Sequence, residues 1–212
     1  MRQKYPRTLH HPGSPGVQSD DKIASDLSAF QGAEVIVTEK MDGENTTLYR
    51  DGFHARSLDT GYHSSRDWLA GFHAQISYLI SEGWRVCGEN LYARHSVAYQ
   101  ALKSYFLGFS VWTDANRCQS WDDSVATFQH LGVEPVPVIY RGAYSASLLS
   151  DLGRDLDLDS SEGLVMRLSR QFDFSDFGQS VVKWVRPGHV QSETHWRNAE
   201  IVPNGLAGKA HT

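Results

Sequence analysis

The sequence Val35-Ile36-Val37-Thr38-Glu39-Lys40-Met41-Asp42-Gly43-Glu44-Asn45 joins a short apolar run to a charged, glycine-containing turn. The apolar part predicts a strand over residues 35–38, so that Lys40 lies just beyond a strand end. A lysine walled in by a sheet loses solvation, which lowers the pKa of its amine and makes it a candidate nucleophile. Asp-Gly is also common in ordinary loops, so a charged surface loop is about equally compatible with this segment alone.

The regions that follow predict further strands and irregularly inserted helices. Residues 46–50 and 53–57 are typical of a hairpin, because Asp51-Gly52 is a strong turn signal. Apolar residues at helical spacing predict a helix over 65–81, capped by Ser64 or Ser65 and ended by Gly83. Further strands are predicted at 84–91, 105–113, 136–141, 163–170 and 180–185, and further helices at 122–131 and 145–152.

Two local features qualify that pattern. Pro137 confines its strand to the edge of a sheet, because proline cannot donate to the ladder. The acidic residues Asp151, Asp155, Asp157 and Asp159 predict a solvated loop. Strands joined by hairpins, without regular strand–helix alternation, indicate an α+β fold with mainly antiparallel sheets flanked by helices.

The composition is that of a globular protein. The chain has 212 residues, of which 40% are hydrophobic and 21% charged. This length suits one domain over 1–212, with an N-terminal arm at 1–20 and a C-terminal tail at 197–212. No apolar run approaches the roughly 20 residues of a membrane span. The first residues lack a signal-peptide core, and the two cysteines form no metal or redox motif, so we expect a cytoplasmic protein.

The charge balance narrows the choice of partners. The net charge is −5, so the chain as a whole does not attract nucleic acid, although a local basic groove stays open. Its 20 basic residues are mostly arginines, which makes the position of each lysine informative. Arginine suits forked contacts to phosphate, whereas a lysine amine can lose its proton and act as a nucleophile.

Four later segments place a charged or aromatic residue in or beside an apolar strand. They are Gly88-Glu89-Asn90-Leu91-Tyr92, Tyr105-Phe106-Leu107-Gly108-Phe109-Ser110-Val111-Trp112, Ser161-Glu162-Gly163-Leu164-Val165-Met166-Arg167 and Val181-Val182-Lys183-Trp184-Val185-Arg186. Each alone has an ordinary explanation as a strand end, core aromatic or edge lysine. Their order and spacing after Lys40 are more specific than any single segment.

In this order the segments resemble the motifs of the covalent nucleotidyltransferases, which are ATP-dependent RNA and DNA ligases and GTP-dependent mRNA capping enzymes. Lys40-Met41-Asp42-Gly43 matches the K-x-D-G nucleophile motif, and Glu162-Gly163 matches the E-G motif. The resemblance is strongest to RNA ligases and runs from about Tyr5 to Trp196. It implies a catalytic domain with the ATP-grasp-like nucleotidyltransferase fold. The 26 residues after Arg186, up to the last residue, Thr212, leave no room for a following OB-fold domain.

The resemblance also implies roles for individual residues. Lys40 would attack the α-phosphate of ATP and retain AMP as a phosphoramidate, with Lys183 and Glu162 completing the catalytic set. Glu162 would hold Mg²⁺, or Mn²⁺ in its place, directly or through water. The nucleotide would be bound by Glu39, Asp42, Gly43, Arg56, Glu89, Phe109, Glu162, Lys183 and Arg186. Gly43 would admit the nucleotide close to the backbone, Glu89 would contact the ribose and Phe109 would stack on adenine.

These motifs predict an ATP-dependent RNA ligase that passes AMP to a 5′-phosphate end and joins a 3′-hydroxyl to it. The resemblance implies a role in RNA repair. A DNA ligase, a capping guanylyltransferase and a silent nucleotide- or RNA-binding module stay open. Residues 5–8 and the basic and aromatic residues of 61–66 and 92–96 are candidates for the RNA entrance. A partner protein could add grip on RNA. The last motif departs from the usual K-x-K, because it has one lysine, Lys183, and an arginine three positions later, Arg186. Either Lys183 and Arg186 replace the two lysines, or one contact is lost.

Overall fold

The computed structural model describes residues 2–58, 61–157, 160–188 and 201–208. Its strands are β1 (Leu9–His10), β2 (Glu34–Glu39), β3 (Glu44–Tyr49), β4 (Gly52–Ala55), β5 (Arg85–Asn90), β6 (Phe106–Trp112), β7 (Arg117–Cys118), β8 (Glu134–Pro135), β9 (Val138–Ala143), β10 (Gly163–Leu168), β11 (Phe172–Asp173) and β12 (Val181–Val185). Its α-helices are α1 (Asp67–Ile76), α2 (Trp121–Leu131), α3 (Leu148–Arg154) and α4 (Phe177–Ser180). Single turns of 3₁₀-helix occur at Ser28–Phe30, Ser64–Arg66, Ser77–Leu79 and Phe174–Asp176.

The strands form two sheets. The first has the order β1-β12-β10-β2-β9, and the second has the order β11-β7-β6-β5-β3-β4 with β8 paired to β6. All pairings are antiparallel except those of β1 with β12 and of β8 with β6. The predicted α+β class with mainly antiparallel sheets flanked by helices is confirmed.

The two sheets pack on each other through a shared apolar core. Val37 and Leu164 of the first sheet lie in one buried cluster with Cys87 and Trp112 of the second. Ile36, the neighbour of Val37, lies in a different buried cluster. Strand β2 is therefore buried on both faces, which explains its unbroken apolar run and fixes its carboxyl end, with Lys40, beside the sheet interface.

Two helices cover the outer face of the second sheet. Leu69 of α1 and Phe128 of α2 pack there in a third buried cluster. The helix predicted over 65–81 is present as α1 with a 3₁₀ turn at each end, but the His63 side chain, not a serine, accepts the Ser65 amide at 3.3 Å. The expected end of α2 is confirmed by Gly132, whose φ is 68°. Among the described residues, no helix is long and apolar enough to cross a membrane.

The region around Pro137 divides between the two sheets. The strand predicted over 136–141 begins only at β9, which is an edge strand as expected, while β8 joins the other sheet. The Pro137 carbonyl accepts a hydrogen bond from the Glu39 amide at 2.9 Å. The predicted acidic loop is wrong for Asp151, which lies within α3, and Asp159 lies outside the described residues.

Both ends of the described chain are tied into the fold. In the predicted N-terminal arm, His10 pairs with Lys183 in the parallel ladder of β1 and β12. Near the other end, bridges join Pro203 to Ala93 and Leu206 to Leu102. Residues 197–200 and 209–212 of the predicted tail, and Trp196 at the end of the motif resemblance, lie outside the described residues.

Candidate active site

A cleft of about 1080 Å³ opens between the two sheets. The segments that the sequence singled out converge on it from both sheets, because Lys40 and Lys183 belong to the first sheet side and Glu89 and Phe109 to the second. Of the predicted site residues, the cleft is lined by Glu39, Lys40, Asp42, Gly43, Arg56, Glu89, Phe109, Glu162 and Lys183. Arg186 is not among the lining residues.

Lys40 is placed by the pairing of β2 with β10. Its backbone N–H donates to the Gly163 carbonyl at 2.8 Å, one step beyond the ladder pair of Glu39 and Leu164. This register brings the Lys40 Nζ within 2.5 Å of Glu162 Oε2. The Glu162 side chain is only 3% exposed and that of Lys40 is 23% exposed, so the ion pair lies largely out of water.

The expectation that Lys40 has a lowered pKa is wrong. Burial alone lowers the pKa of this amine, but Glu162, Glu89 and Asp42 together outweigh burial and raise the pKa above its ordinary value. Pairing of β2 with β10 brings Glu162 to Lys40, and Glu89 lines the same cleft from the second sheet, although both are far from Lys40 in sequence. Lys40 therefore carries a proton at neutral pH in this arrangement.

The pKa of Glu89 is also raised, but for this carboxyl group the effect favours the neutral form. It lies on β5 opposite Asn45, inside the cleft. Burial raises the pKa of Glu89 to about 8, and the charge of Lys40 only partly opposes this effect. Glu89 is therefore largely protonated at neutral pH and can both donate and accept a hydrogen bond.

Lys183 is the amine whose pKa is lowered. It lies on β12 between His10 of β1 and Val165 of β10. Burial lowers the pKa of Lys183 to about 8, and the positive charge of Lys40 acts in the same direction. The desolvated lysine that the sequence predicts at position 40 is thus found at position 183.

Two glycines of the motif segments, Gly43 and Gly163, lie where backbone packing leaves no room for a side chain. A Cβ at Gly43 would lie 2.5 Å from the Asn90 carbonyl oxygen, so the turn after Lys40 packs directly on β5. Gly163 has a φ of 158°, and a Cβ there would collide with the Trp184 carbonyl oxygen. Both glycines allow close contact between backbone segments beside the cleft, independently of any contact with a nucleotide.

The carboxylate of Asp42 is engaged by the protein. Its Oδ2 accepts hydrogen bonds from the Ser96 hydroxyl at 2.6 Å and from the Val97 amide at 2.8 Å. The Asp42 amide donates to the Tyr99 hydroxyl at 2.8 Å. Asp42 therefore fixes the turn after Lys40, and its contact with a nucleotide stays a prediction.

The aromatic wall of the cleft has a member that the motifs did not supply. The ring of Phe109 meets that of Tyr5 edge to face, with 5.3 Å between centroids. Beneath it, the buried Arg167 donates to the Gln119 carbonyl at 2.6 Å and to that of Phe109 at 3.4 Å. A charged residue inside the apolar run of β10 is the sequence signal that could have revealed Arg167.

Some of the candidate residues for the RNA entrance line the cleft, and others do not. Residues 4–8 and 93–96 line the cleft, which brings Arg7 and Arg94 to it. Arg66 is instead buried in a two-bond ion pair with the Glu44 carboxylate. This pairing removes Arg66 from the set that could meet a phosphate.

The two predicted phosphate-binding arginines differ in position. Arg56 lines the cleft, and its backbone N–H donates a hydrogen bond to the Asn45 carbonyl at 2.8 Å. The backbone N–H of Arg186 donates to the Glu162 carbonyl at 3.2 Å, outside the cleft lining. Among the described residues, the Nε atoms of both arginines are buried and have no hydrogen-bond partner.

With this geometry in place, the chain can be compared with known proteins. The sequence model of the RNA ligase family matches residues 33–185. The chain belongs to the RNA ligase family. The match covers the segments from β2 to β12 that build the cleft, and it confirms the resemblance seen in the motifs.

Solved structures of RNA ligases share the fold at low sequence identity. An archaeal ATP-dependent RNA ligase is 16% identical with a TM-score of 0.59, and the alignment covers 87% of this chain and 48% of the other. An RNA ligase of Naegleria gruberi, solved with pyrophosphate, is 15% identical with a TM-score of 0.55, covering 86% of this chain and 57% of the other. This family member thus spans about half the length of the structures it resembles. Curated protein sequences give no match to it.

Proposed function

We propose that this protein is an ATP-dependent RNA ligase that works through a covalent Lys40–AMP intermediate. The observation that carries the proposal is the pairing of Lys40 Nζ with Glu162 Oε2 at 2.5 Å, in a cleft also lined by Glu89, Phe109 and Lys183. Family membership adds weight to the same assignment. We further propose that residues 1–212 act as one adenylyltransferase domain.

The first step begins with a proton. A protonated amine has no lone pair, so Lys40 must lose a proton before it attacks, and Glu162 is the acceptor within reach. The neutral amine then forms a bond to the α-phosphorus of ATP, while the bond from that phosphorus to the bridging oxygen breaks and pyrophosphate leaves. Alignment and charge cancellation do the rest, because phosphoryl transfer needs little further covalent help.

The remaining cleft residues would bind the nucleotide. Phe109 offers an aromatic face for adenine, and Glu89, held neutral by burial, can hydrogen-bond a ribose hydroxyl. Arg56 and Lys183 would hold phosphate oxygens. Arg186 lies outside the cleft lining, so its side chain would have to turn into the cleft to substitute for the second lysine of the usual motif. The Glu39 carboxylate accepts a hydrogen bond from the Ser161 hydroxyl at 2.8 Å, and in this proposal Glu39 would lie near the base.

The donor set fits a divalent metal that is held mainly by substrate. The described residues contain no cluster of three or more metal-ligating side chains. Mg²⁺ commonly uses one or two carboxylates, completed by water and phosphate, so Glu162 alone suffices as the protein ligand. Such an ion supplies neutralisation of the triphosphate. A Naegleria gruberi RNA ligase variant with a TM-score of 0.50 was solved with ATP and Mn.

The later steps would pass AMP to an RNA 5′-phosphate and then join a 3′-hydroxyl to it. Basic side chains that line the cleft, among them Lys4, Arg7, Arg56 and Arg94, would meet the RNA backbone. We also propose that a partner protein increases the affinity for RNA. RNA repair is the process that this chemistry serves.

Covalent labelling tests the first step. The protein is incubated with α-labelled ATP or GTP and Mg²⁺, denatured, and examined for retained label. We expect labelling by ATP only, and none in Lys40→Ala. The matched control is Lys103→Ala, because Lys103 is an exposed lysine with a 79% accessible side chain. Labelled protein is then given nicked and single-stranded RNA and DNA, and sealing of RNA is the expected outcome.

Other results would replace the proposal. Labelling by GTP alone indicates a capping guanylyltransferase, and sealing of DNA in preference to RNA indicates a DNA ligase. No label on folded protein indicates a silent nucleotide- or RNA-binding module. AMP found by mass spectrometry on a residue other than Lys40 overturns the mechanism.

A further inference from the structure

The segment 201–208 packs against the active-site side of the fold through Asn204. This residue is 2% exposed, and its side chain makes hydrogen bonds at both ends. Its Nδ2 donates to the Leu91 carbonyl at 2.8 Å, and its Oδ1 accepts from the Tyr99 amide at 3.0 Å. Its backbone N–H donates to the Tyr92 carbonyl at 3.0 Å. A buried amide with paired donor and acceptor is a strong structural constraint.

Asn204 therefore joins the two ends of one loop, residues 91–99. This loop leaves the end of β5, directly after the strand that carries Glu89, and returns at Tyr99. The same segment adds a hydrogen bond from the Gly205 amide to the Tyr99 carbonyl at 2.8 Å and one from the Arg94 amide to the Val202 carbonyl at 2.8 Å. Val202 itself lines the cleft.

The 91–99 loop in turn holds the nucleophile turn, residues 40–43. The Tyr99 hydroxyl accepts a hydrogen bond from the Asp42 amide at 2.8 Å. The Ser96 hydroxyl and the Val97 amide donate hydrogen bonds to the Asp42 carboxylate. A continuous set of short contacts thus runs from Asn204 through Tyr99 to Asp42, two residues from Lys40. These contacts are buried or partly buried, where hydrogen bonds are stronger than in water.

We propose that Asn204 is a positioning residue for the nucleophile, acting through Tyr99 on the turn that carries Lys40. The inference rests on the proposed ligase function and adds to it a residue outside the motif segments and outside residues 33–185, the range that the family model matches. Asn204 touches no reacting atom. Its effect is on the alignment of Lys40, and a displacement of about 1 Å at a reacting centre can cost ~100-fold in rate.

The test uses single-turnover formation of Lys40–AMP in the full-length protein. We expect Asn204→Ala to reduce the maximal rate by about tenfold to 100-fold. The ATP concentration that gives half the maximal rate should stay within about twofold, because Glu39, Glu89 and Phe109 lie on strands that Asn204 does not bond. Tyr99→Phe, which removes only the hydroxyl that accepts the Asp42 amide, should slow the same step.

A double-mutant cycle separates positioning from general loss of structure. If Asn204 acts through Tyr99, the double variant should be no slower than the slower single variant. Tyr105→Phe is the matched control, since it removes the hydroxyl that donates to the Asn204 carbonyl at 2.9 Å but leaves the link to Asp42. We expect Tyr105→Phe to label at nearly the normal rate.

The outcomes are distinct. Additive effects in the cycle, or an unchanged rate in folded Asn204→Ala, overturn the positioning role while the ligase proposal stands. If Asn204→Ala does not fold, the cycle is repeated with Asn204→Ser, a smaller polar side chain that is too short to bond both the Leu91 carbonyl and the Tyr99 amide, under the same criteria. Absence of label in the unsubstituted protein removes the ligase proposal and, with it, this inference.

Discussion

Lys40 and Lys183 line the same cleft from two strands that flank β10, yet their surroundings act in opposite directions. Lys40 faces Glu162 at 2.5 Å, and carboxylates raise its pKa. Lys183 is 8% exposed and lies beside His10, and burial lowers its pKa to about 8. Two lysines one strand apart are thus prepared for different tasks by their neighbours alone.

If Lys40 is the nucleophile that we propose, the contrast teaches that a nucleophile need not be deprotonated in its resting arrangement. The ion pair with Glu162 holds the Lys40 amine in place and in its charged form, so that loss of the proton becomes part of the first step. Lys183, which would bind a phosphate in the proposed function, has a pKa near 8, and a bound phosphate would favour its charged form. Substitutions at the two positions can break or sharpen this division.

The largest effect is expected when each lysine is changed to arginine. Lys40→Arg keeps a positive charge beside Glu162, but a guanidinium does not deprotonate in proteins. We expect AMP labelling to fall by at least ~10³-fold, because the nucleophile is lost. Lys183→Arg retains a phosphate-binding cation and should retain measurable labelling. Equal loss in both variants would contradict the division of tasks.

The next effect concerns the proton on Lys40. Glu162→Gln removes the nearest carboxylate, so the pKa of Lys40 should fall. NMR titration of ¹³C-labelled lysine side chains measures this change, with Lys40→Arg identifying the signal.

Glu39→Gln is the matched control for that titration. Glu39 directly precedes Lys40 but hydrogen-bonds Ser161, so its removal should shift the Lys40 titration much less. An unchanged Lys40 pKa in Glu162→Gln would show that the ion pair is not what keeps this amine protonated.

A smaller effect is expected in the pH dependence of nucleotide binding. Lys183 is charged below pH 8 and becomes neutral above it, so affinity for triphosphate should weaken as the pH rises through 8. Between pH 7.5 and 9 we expect a loss of about threefold to tenfold. Equilibrium binding of an α,β-methylene ATP analogue, which Lys40 cannot cleave, measures it.

Lys183→Arg should make that pH dependence shallower, because arginine stays charged. Glu89 also ionises near pH 8 and would add negative charge to the cleft, so Glu89→Gln provides the second comparison. The assignment to Lys183 fails if its arginine variant keeps the full slope and Glu89→Gln removes it.

The smallest effect is on stability. Glu89 ionises near its ordinary pKa of 4.5 in the unfolded chain but at about 8 in the folded protein. Between these values the folded state binds the extra proton, so its stability falls as the pH rises from 4.5 to 8. Glu89→Gln removes this contribution, so its Tm relative to the unsubstituted protein should rise steadily across that range, by about 2–4 °C for each kcal/mol. Glu82→Gln, at an exposed position, should show no such trend.

Much of the fold could be predicted from local pattern. The apolar run of β2, the hairpin at Asp51-Gly52 and the Gly132 end of α2 are set by residues adjacent in the chain, and each was found. The shorter strands were not predicted, because β1, β7, β8 and β11 are two residues long and exist only through their partners. Asp151 looked like part of a loop, but helical packing through Leu148 and Leu149 overrides its local preference.

The site likewise has residues that the sequence predicts and contacts that only the structure reveals. Motif order predicted the residues that line the cleft, with Arg186 as the exception. It could not predict that Arg66 is consumed by Glu44, or that Tyr5 packs against Phe109, because those partners come from distant segments. The link from Asn204 to Asp42 was equally hidden, since no motif includes residues 201–208.

Sequence order was enough to establish the family, the α+β class and the chemical types that meet in the cleft, since those follow from short-range pattern and motif spacing. The protonation of the two lysines was settled by folding. A pKa depends on desolvation and on charges within a few ångströms, and those charges come from strands that are neighbours in the sheets and far apart in the chain. Glu162 lies 122 positions from Lys40 in sequence and 2.5 Å away in space.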